Sequence, residues 1–546
     1  MKFSERERGE KDELTTLGTP LHTKGTPALG ESGGFIPSLS VVPTLFFVPL
    51  LLELLTMLRT QLRKMSSVNY PQEFVNFLNV AHTPYHAVHC VKEHLTKYGF
   101  QELSERDSWN GKVLRKGKYF VTRNNSSIIA FVVGGKWVPG NPIAIVGAHT
   151  DSPTLRIKPN SKRDAEKYEQ IGVEVYGGAI WHTWFDKDLS VAGRVMVNCK
   201  KSGKVVSKLL DLNRPLLKIP NLAIHLTDRT PDFKFNREQH LLPIAGLVKE
   251  EEKKKEGEEE KPNEQDEEAF SSLKPIVERH SKRLLELIVE ELSLESVDDI
   301  EDFELILYDN NAACLGGMDQ EFIFSGRLDN MTSTFTGMHG IALAAETGIE
   351  EETGIRMYAS FDHEEIGSAS AQGADSNFLP NIMERLTALK CDETDVTEPV
   401  GRSLILETSA KSFFLSSDVS HAVHPNYAGK YESKHRPIMG GGPVIKVNAN
   451  QRYTTNAAGI ALIKKMADNC RVPLQFFVVA NDSPCGSTIG PILASKTGIR
   501  TLDIGNPILS MHSVRETGGA GDLELQIKLF KEFFETYSKL ENQIVV

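Results

Sequence analysis

At 546 residues the chain is too long for one hydrophobic core and long enough for two or three domains. Its 40% hydrophobic and 25% charged residues are ordinary for a globular protein, and a formal net charge of −11 argues against a general nucleic-acid binder, which needs a basic surface. Cys90, Cys199, Cys314, Cys391, Cys470 and Cys485 form no CxxC pair, so they read as reduced, mostly buried thiols of a cytoplasmic protein, not as a disulfide framework or a cysteine zinc site.

Residues 1–65 read as an extension, either disordered or used for targeting. Residues 32–52 carry no charge and are long enough to cross a bilayer. Pro37, Pro43 and Pro49 interrupt that run, and six acids stand among the first 31 residues, where a signal peptide would have a short basic start. A membrane anchor is therefore not expected, while targeting stays open. Globular patterning begins directly after Met65-Ser66-Ser67, which would make a natural start. From Gln72 to Tyr98 apolar residues recur at helical spacing, with Pro84 separating two helices. His82, His86, His89 and His94 fall in this region; no Glu or Cys partner completes a metal site there, and they read as surface residues.

Strands are expected at 119–122, 127–133 and 142–147, the last short, apolar and β-branched like a central strand covered on both faces. Residues 156–304 read as a β-rich insertion, with strands at 173–176 and 193–197 and an aromatic, turn-like stretch at 177–185. Within it, 249–268 (KEEEKKKEGEEEKPNEQDEE) cannot bury a core and reads as a disordered acidic loop. Beyond 300 an α/β pattern resumes: strands at 303–308, 355–361, 412–417, 444–448, 475–480 and 501–504, helices at 329–347, 453–468 and 521–538. The expected fold is an α/β catalytic domain (66–155 and 305–546) interrupted by a β-rich domain.

The chemistry is carried by clusters of acids and histidines. The run Ser360-Phe-Asp-His-Glu-Glu-Ile-Gly367 sets two carboxylates side by side, which repel unless a cation is near. His149 and Asp151, Asp329, Asp418 and His512 lie in four further short motifs. A histidine or aspartate alone is more often a satisfied polar residue than a ligand. Together they supply the donors of a two-metal hydrolase, whose ions sit about 3.5–4 Å apart over a shared water. Asp329 is the expected bridge, with His149 and Asp418 completing one ion's ligands and Glu365 and His512 the other's. Glu364 is left as general base, and His363 reads as structural, pointing away. There is no Gly-x-Ser-x-Gly elbow and no Cys/His signature, which disfavours a covalent nucleophile.

These residues lie in Gly-Ala-His-Thr-Asp-Ser-Pro (147–153), Gly-Arg-Leu-Asp-Asn (326–330), His-Glu-Glu-Ile-Gly-Ser (363–368), Ser-Asp-Val-Ser-His-Ala-Val-His-Pro-Asn-Tyr (417–427), Gly-Pro-Val-Ile-Lys-Val-Asn (442–448) and Met-His-Ser-Val-Arg-Glu (511–516). In them, from about Tyr70 onward, the chain closely resembles the aspartyl aminopeptidases, dinuclear zinc exopeptidases. The resemblance implies a zinc-exopeptidase-like catalytic domain whose insertion serves dimerisation, two Zn²⁺ per subunit on the five residues above, with Mn²⁺ or Co²⁺ able to substitute, and Glu364 as base. It also implies substrate contacts at His182, His421, Lys446 and Tyr453, with His182 reaching into a neighbouring subunit's site. Peptides with an N-terminal Asp or Glu are the implied substrates, and a homo-oligomer, a dodecamer built from dimers, the implied assembly. Residues 1–65 and 249–268 have no counterpart in that pattern. The rival readings are a two-metal hydrolase of other specificity and a non-catalytic assembly or cargo protein on the same fold.

Overall fold

A computed structural model describes residues 68–227, 233–248, 272–389 and 402–543. Residues 1–65, the acidic run 249–268 and Cys391 lie outside them. From Asn69 onward the chain forms one unit.

The apolar runs assemble a nine-stranded mixed sheet in the order Gln101–Leu103, Lys118–Arg123, Ser127–Val133, Ile355–Phe361, Ile143–His149, Phe413–Ser417, Arg500–Gly505, Val444–Val447, Gln475–Val478. Ser127–Val133, Ile143–His149, Ile355–Phe361 and Phe413–Ser417 are buried at every position, as a sheet covered on both faces requires. One face packs against helices Tyr70–Leu78, Pro84–Lys97, Leu328–Ala344, Ala457–Cys470 and Asp522–Leu540. The other packs against Phe378–Thr387, Ile489–Thr497, Trp109 and Trp137. Strands 355–361, 143–149, 413–417 and 500–505 run parallel, so their carboxyl ends share one edge. Open α/β sheets place their sites along that edge.

A second sheet takes Ile300–Asp309, Thr154–Ala165, Tyr168–Tyr176, Ile244–Leu247, Leu217–Lys218, Asp188–Cys199 and Lys204–Asp211 in that order. Because 300–309 also pairs with 188–199, the sheet closes on itself. Helix Lys282–Leu292 packs into its separate core through Leu284, Leu285, Leu287 and Ile288. A small third sheet pairs Phe322–Ser325 with Glu516–Gly519 and holds Ser420–His421 at its edge.

Each expected strand is present. Element boundaries differ from expectation by a few residues, in the helices by up to about one turn. The helix expected at 453–468 begins at Ala457, because the Asn456 side chain accepts from the Gly459 amide and caps it there. The helix expected at 329–347 ends at Ala344. The surface reading of the histidines is corrected. His82 is buried, bonded to Asp211 at 2.8 Å and stacked on Tyr308 at 3.9 Å. His86 is buried against Thr83, and His94 Nε2 is enclosed beside His339; His89 alone of the four is exposed. The helix turns these polar residues toward the body, which charge counting along a sequence does not reveal. The thiols too differ from expectation: Cys90, Cys199, Cys470 and Cys485 are half-buried and Cys314 is exposed, all five free.

One ion pair lies buried at the start of a central strand of the nine-stranded sheet. Glu352 accepts from Arg356 Nε at 3.1 Å and Nη2 at 3.0 Å, both residues being no more than 2% exposed. Glu352→Ala strands that guanidinium without a counter-charge. The expected loss is about 3–5 kcal/mol of stability, read as a lower denaturant midpoint; a shift equivalent to under ~1 kcal/mol would contradict it.

Candidate metal centre

His149 ends its strand, Asp418 directly follows Phe413–Ser417, and the turn Glu364–Ile366 follows Ile355–Phe361. The carboxyl ends of three neighbouring parallel strands thus bring these residues to one point. Asp329 arrives from the start of helix Leu328–Ala344, and His512 from the loop between the small sheet's strands Pro507–Leu509 and Glu516–Gly519. Their donor atoms form three overlapping groups: His149, Asp329 and Asp418; His149, Glu364 and Glu365; Asp329, Glu365 and His512, each with atoms within 4.8 Å of one another. Asp329 faces both ways. Its Oδ1 lies 3.3 Å from His149 Nε2 and its Oδ2 3.2 Å from His512 Nε2. His149 Nε2 is 3.7 Å from Asp418 and 3.8 Å from Glu364; His512 Nε2 is 3.4 Å from Glu365.

Both imidazoles are oriented by their other nitrogen. His149 Nδ1 donates to the Asp151 carbonyl at 3.0 Å and His512 Nδ1 to the Gly178 carbonyl at 3.0 Å. A carbonyl can only accept, so Nδ1 carries the proton in that bond and Nε2 is the nitrogen of each ring turned toward the carboxylates, where it could ligate a metal once deprotonated. His363 Nδ1 pairs with Ser370 Oγ at 2.8 Å, outside these groups, as expected.

A cavity of about 380 Å³ opens over the cluster, lined by Asp329, Glu364, Glu365, Asp418 and His512 together with His421, Lys446 and Tyr453. Lys446 is 2% exposed despite its charge. Its Nζ lies 3.3 Å from Asp418 Oδ2, donates to the Val419 carbonyl at 3.1 Å, and sits 5.0 Å from the centre of the Tyr453 ring. The Lys446 ammonium and desolvation in the cavity hold the His421 pKa down, desolvation contributing most. His182 is not brought here; it is exposed on the short turn Trp181–Trp184.

The family model described as Aminopeptidase I zinc metalloprotease (M18) matches residues 77–534. The chain belongs to that family. It is 68% identical over 495 residues to aspartyl aminopeptidase 4 of Saccharomyces cerevisiae, spanning 90% of this chain and 100% of that one. Against the aspartyl aminopeptidase of Aspergillus oryzae the identity is 52%, over 87% and 97% of the two chains. Among solved structures, the cryo-EM structure of the Ape4 and Nbr1 complex superposes with a TM-score of 0.79 at 48% identity, covering 88% of this chain and 87% of that one. The S. cerevisiae mApe1 dodecamer gives a TM-score of 0.73 at 29% identity, covering 87% and 98%. The nine-stranded sheet is accordingly a zinc-exopeptidase-like α/β fold, and this M18 protein is a metallo-aminopeptidase, a hydrolase.

The M18 donor set fits zinc on three counts. Nitrogen and oxygen ligands each about 2.0–2.2 Å from a tetrahedral ion stand a little over 3 Å apart, close to the 3.2–3.4 Å measured from each histidine to Asp329 and from His512 to Glu365. Asp329 Oδ1 and Glu365 Oε1 are buried without a hydrogen-bond partner, an arrangement that costs stability unless a cation sits there. The field of the cluster also draws positive charge. Burial works against the His512 imidazolium, yet Asp329 and Glu365 carry its pKa up to about 10. Burial pushes Glu364 up to about 8, with His149 opposing and Asp418 and Asp151 adding to the shift. Crowded acids that cannot all ionise are relieved by a divalent ion.

Three residues without an expected role support the cluster. Asp151, 1% exposed, accepts the Glu364 amide at 3.0 Å and the Glu365 amide at 3.1 Å. Glu516 accepts the His512 amide at 2.7 Å and the Asp329 amide at 3.1 Å, tying two donors from distant segments together. Gly505 lets strand 500–505 pass under Asp418, where an added Cβ would stand 1.8 Å from the Asp418 carbonyl. Asp151 and Glu516 sit in the motifs that carry His149 and His512, so their proximity was readable; nothing in the sequence marks Gly505.

Proposed function

We propose that the protein removes N-terminal Asp or Glu from peptides, using two zinc ions bridged by Asp329, one completed by His149 and Asp418 and the other by Glu365 and His512. The observation that carries the specificity is Lys446, a cation held almost without solvent in the wall of the cavity over the cluster. The names of the relatives, aspartyl aminopeptidases at 68% and 52% identity, support the same reading.

When bound, the zinc pair supplies Lewis acidity that polarises the scissile carbonyl and eases deprotonation of the attacking water. Glu364 takes that proton and delivers it to the leaving amine. Lys446 receives the side-chain carboxylate of the first residue, a desolvated pairing that neutral side chains do not offer. His421 and Tyr453 hold the substrate carbonyl and the negative charge that develops on it. Mn²⁺ and Co²⁺ accept the same His and carboxylate donors and would replace zinc.

The closed sheet is the inserted dimerisation domain (156–304) within a catalytic domain of 66–155 and 305–546. His182, exposed and outside its own cavity, completes the site of a neighbouring subunit. The S. cerevisiae mApe1 dodecamer supports a homo-oligomer; in this reading the assembly is a dodecamer built from dimers, and a closed shell would limit substrates to short peptides. Neither nucleic acid nor membrane is a partner in this reading, and the location is cytoplasmic, with targeting through residues 1–65 left open. No helix among the described residues is long and apolar enough to cross a membrane.

The test is a panel of short peptides differing only in the first residue, cleaved by zinc-refilled protein before and after chelation. Preference for Asp and Glu, lost on chelation and restored by zinc, is expected. A preference for Leu or Ala would keep the metal site and remove the acidic specificity. Cleavage of none of them would favour a scaffold role.

A further inference from the structure

We infer that the segment Tyr176–Thr183, which leaves the closed sheet, is a positioning element for the metal-holding side chains, with Tyr176 acting through Asp151. The inference rests on the two-zinc reading above. Tyr176 ends its strand with its hydroxyl donating to Asp151 Oδ2 at 2.8 Å. That same carboxylate accepts the amides of Glu364 and Glu365. A carboxylate that must serve two neighbouring amides at once works in one rotamer, and a third donor holds it in that rotamer. Tyr176 therefore fixes the turn from which both glutamates project.

The contact continues along the segment. Gly177 has φ +72°, and a Cβ there would lie 3.2 Å from Glu365 Cβ and 3.4 Å from Pro153. The Gly178 carbonyl is the acceptor that orients His512. The Ile180 amide then donates to the His512 carbonyl at 2.8 Å, and Thr183 Oγ1 accepts the Val514 amide at 3.0 Å. The segment that leaves the second sheet thus grips the cluster from both sides, the glutamate turn through Asp151 and His512 directly. The sheet is more than an assembly surface: it sets how firmly the donors are held. Partners of this kind typically alter metal affinity or activity by about 10–100-fold.

The comparison is between Tyr176→Phe and Tyr85→Phe in the full chain. Both tyrosines line one cavity behind the glutamate turn, and both donate to a carboxylate, Tyr176 to Asp151 and Tyr85 to Glu304 at 2.9 Å. Glu304 pairs with Arg156 and Arg194, away from the cluster, so Tyr85→Phe matches the lost hydroxyl without touching the donors. Zinc loss to a competing chelator is measured by metal content, with kcat and KM for an acidic peptide alongside. Tyr176→Phe is expected to lose zinc roughly tenfold faster and to lower kcat with KM little changed, while Tyr85→Phe follows the parent. Gly177→Ala should move in the same direction. Zinc retention and kcat within about twofold of the parent in Tyr176→Phe, or equal losses in both tyrosine variants, would overturn the positioning role. A parent that itself holds no zinc would overturn the two-zinc reading, and this inference with it.

Discussion

Replacing Glu364 by glutamine is expected to lower kcat by about 10²–10⁴-fold while the protein keeps its full zinc content. The change preserves shape and removes only the ability to accept a proton. Two features separate Glu364 from its neighbour. Glu365 lies 3.4 Å from His512 Nε2 with its Oε1 buried and unpartnered, the position of a ligand. Glu364 also lines the cavity but is the more exposed of the two side chains, 15% against 5%, and its imidazole contact is the longest of the set at 3.8 Å. Both amides are pinned by Asp151, so the substitution should leave the turn in place. Metal analysis beside the kinetics decides the role. Lost turnover with zinc retained identifies the base; lost turnover with one zinc gone makes Glu364 a ligand, since it does stand in a group with His149 and Glu365. Undiminished turnover would remove the mechanism altogether.

The candidate donors were legible in the sequence because each stands in a short motif of acids and histidines, and three of them follow or end a strand that is rich in apolar residues and buried throughout. Ile143–His149 and Phe413–Ser417 announce buried parallel strands by composition, and parallel strands bring their ends together. The supporting residues were harder. Glu516 acts by accepting two amides, a role that any polar residue near a reversal could fill, and only the pairing of Phe322–Ser325 with Glu516–Gly519 brings Asp329 within its reach. Tyr176 looks like one more aromatic residue at the end of an alternating strand; its partner Asp151 is remote along the fold path though only 25 residues away in sequence. The buried histidines failed for a related reason. His82 is compensated by Asp211, which lies 129 residues on. Periodicity describes which face of a helix is apolar, not which polar groups find a partner across the core.

In the proposed function, Lys446 is the residue on which substrate choice turns. Lys446→Met retains volume and apolar character in a strand position that is 2% exposed. A charge-assisted bond to an acidic side chain contributes about 1.5–3 kcal/mol, so kcat/KM for Asp- and Glu-initiated peptides should fall roughly 10–100-fold. Peptides beginning with Leu or Ala should change little or improve. A competing role exists on the same atoms, because Lys446 Nζ already lies 3.3 Å from Asp418 Oδ2 and donates to the Val419 carbonyl. As a counter-ion for Asp418, Lys446 would tune the metal donor and not the substrate. The two roles part in the panel. Selector and counter-ion both predict weaker cleavage of acidic peptides, but only the counter-ion role predicts an equal loss for every first residue together with lower zinc affinity. A fall confined to Asp and Glu, with zinc affinity unchanged, assigns Lys446 to the substrate; Asp418 then serves as the anchor that keeps the ammonium pointed at the cavity until an acidic side chain takes its place.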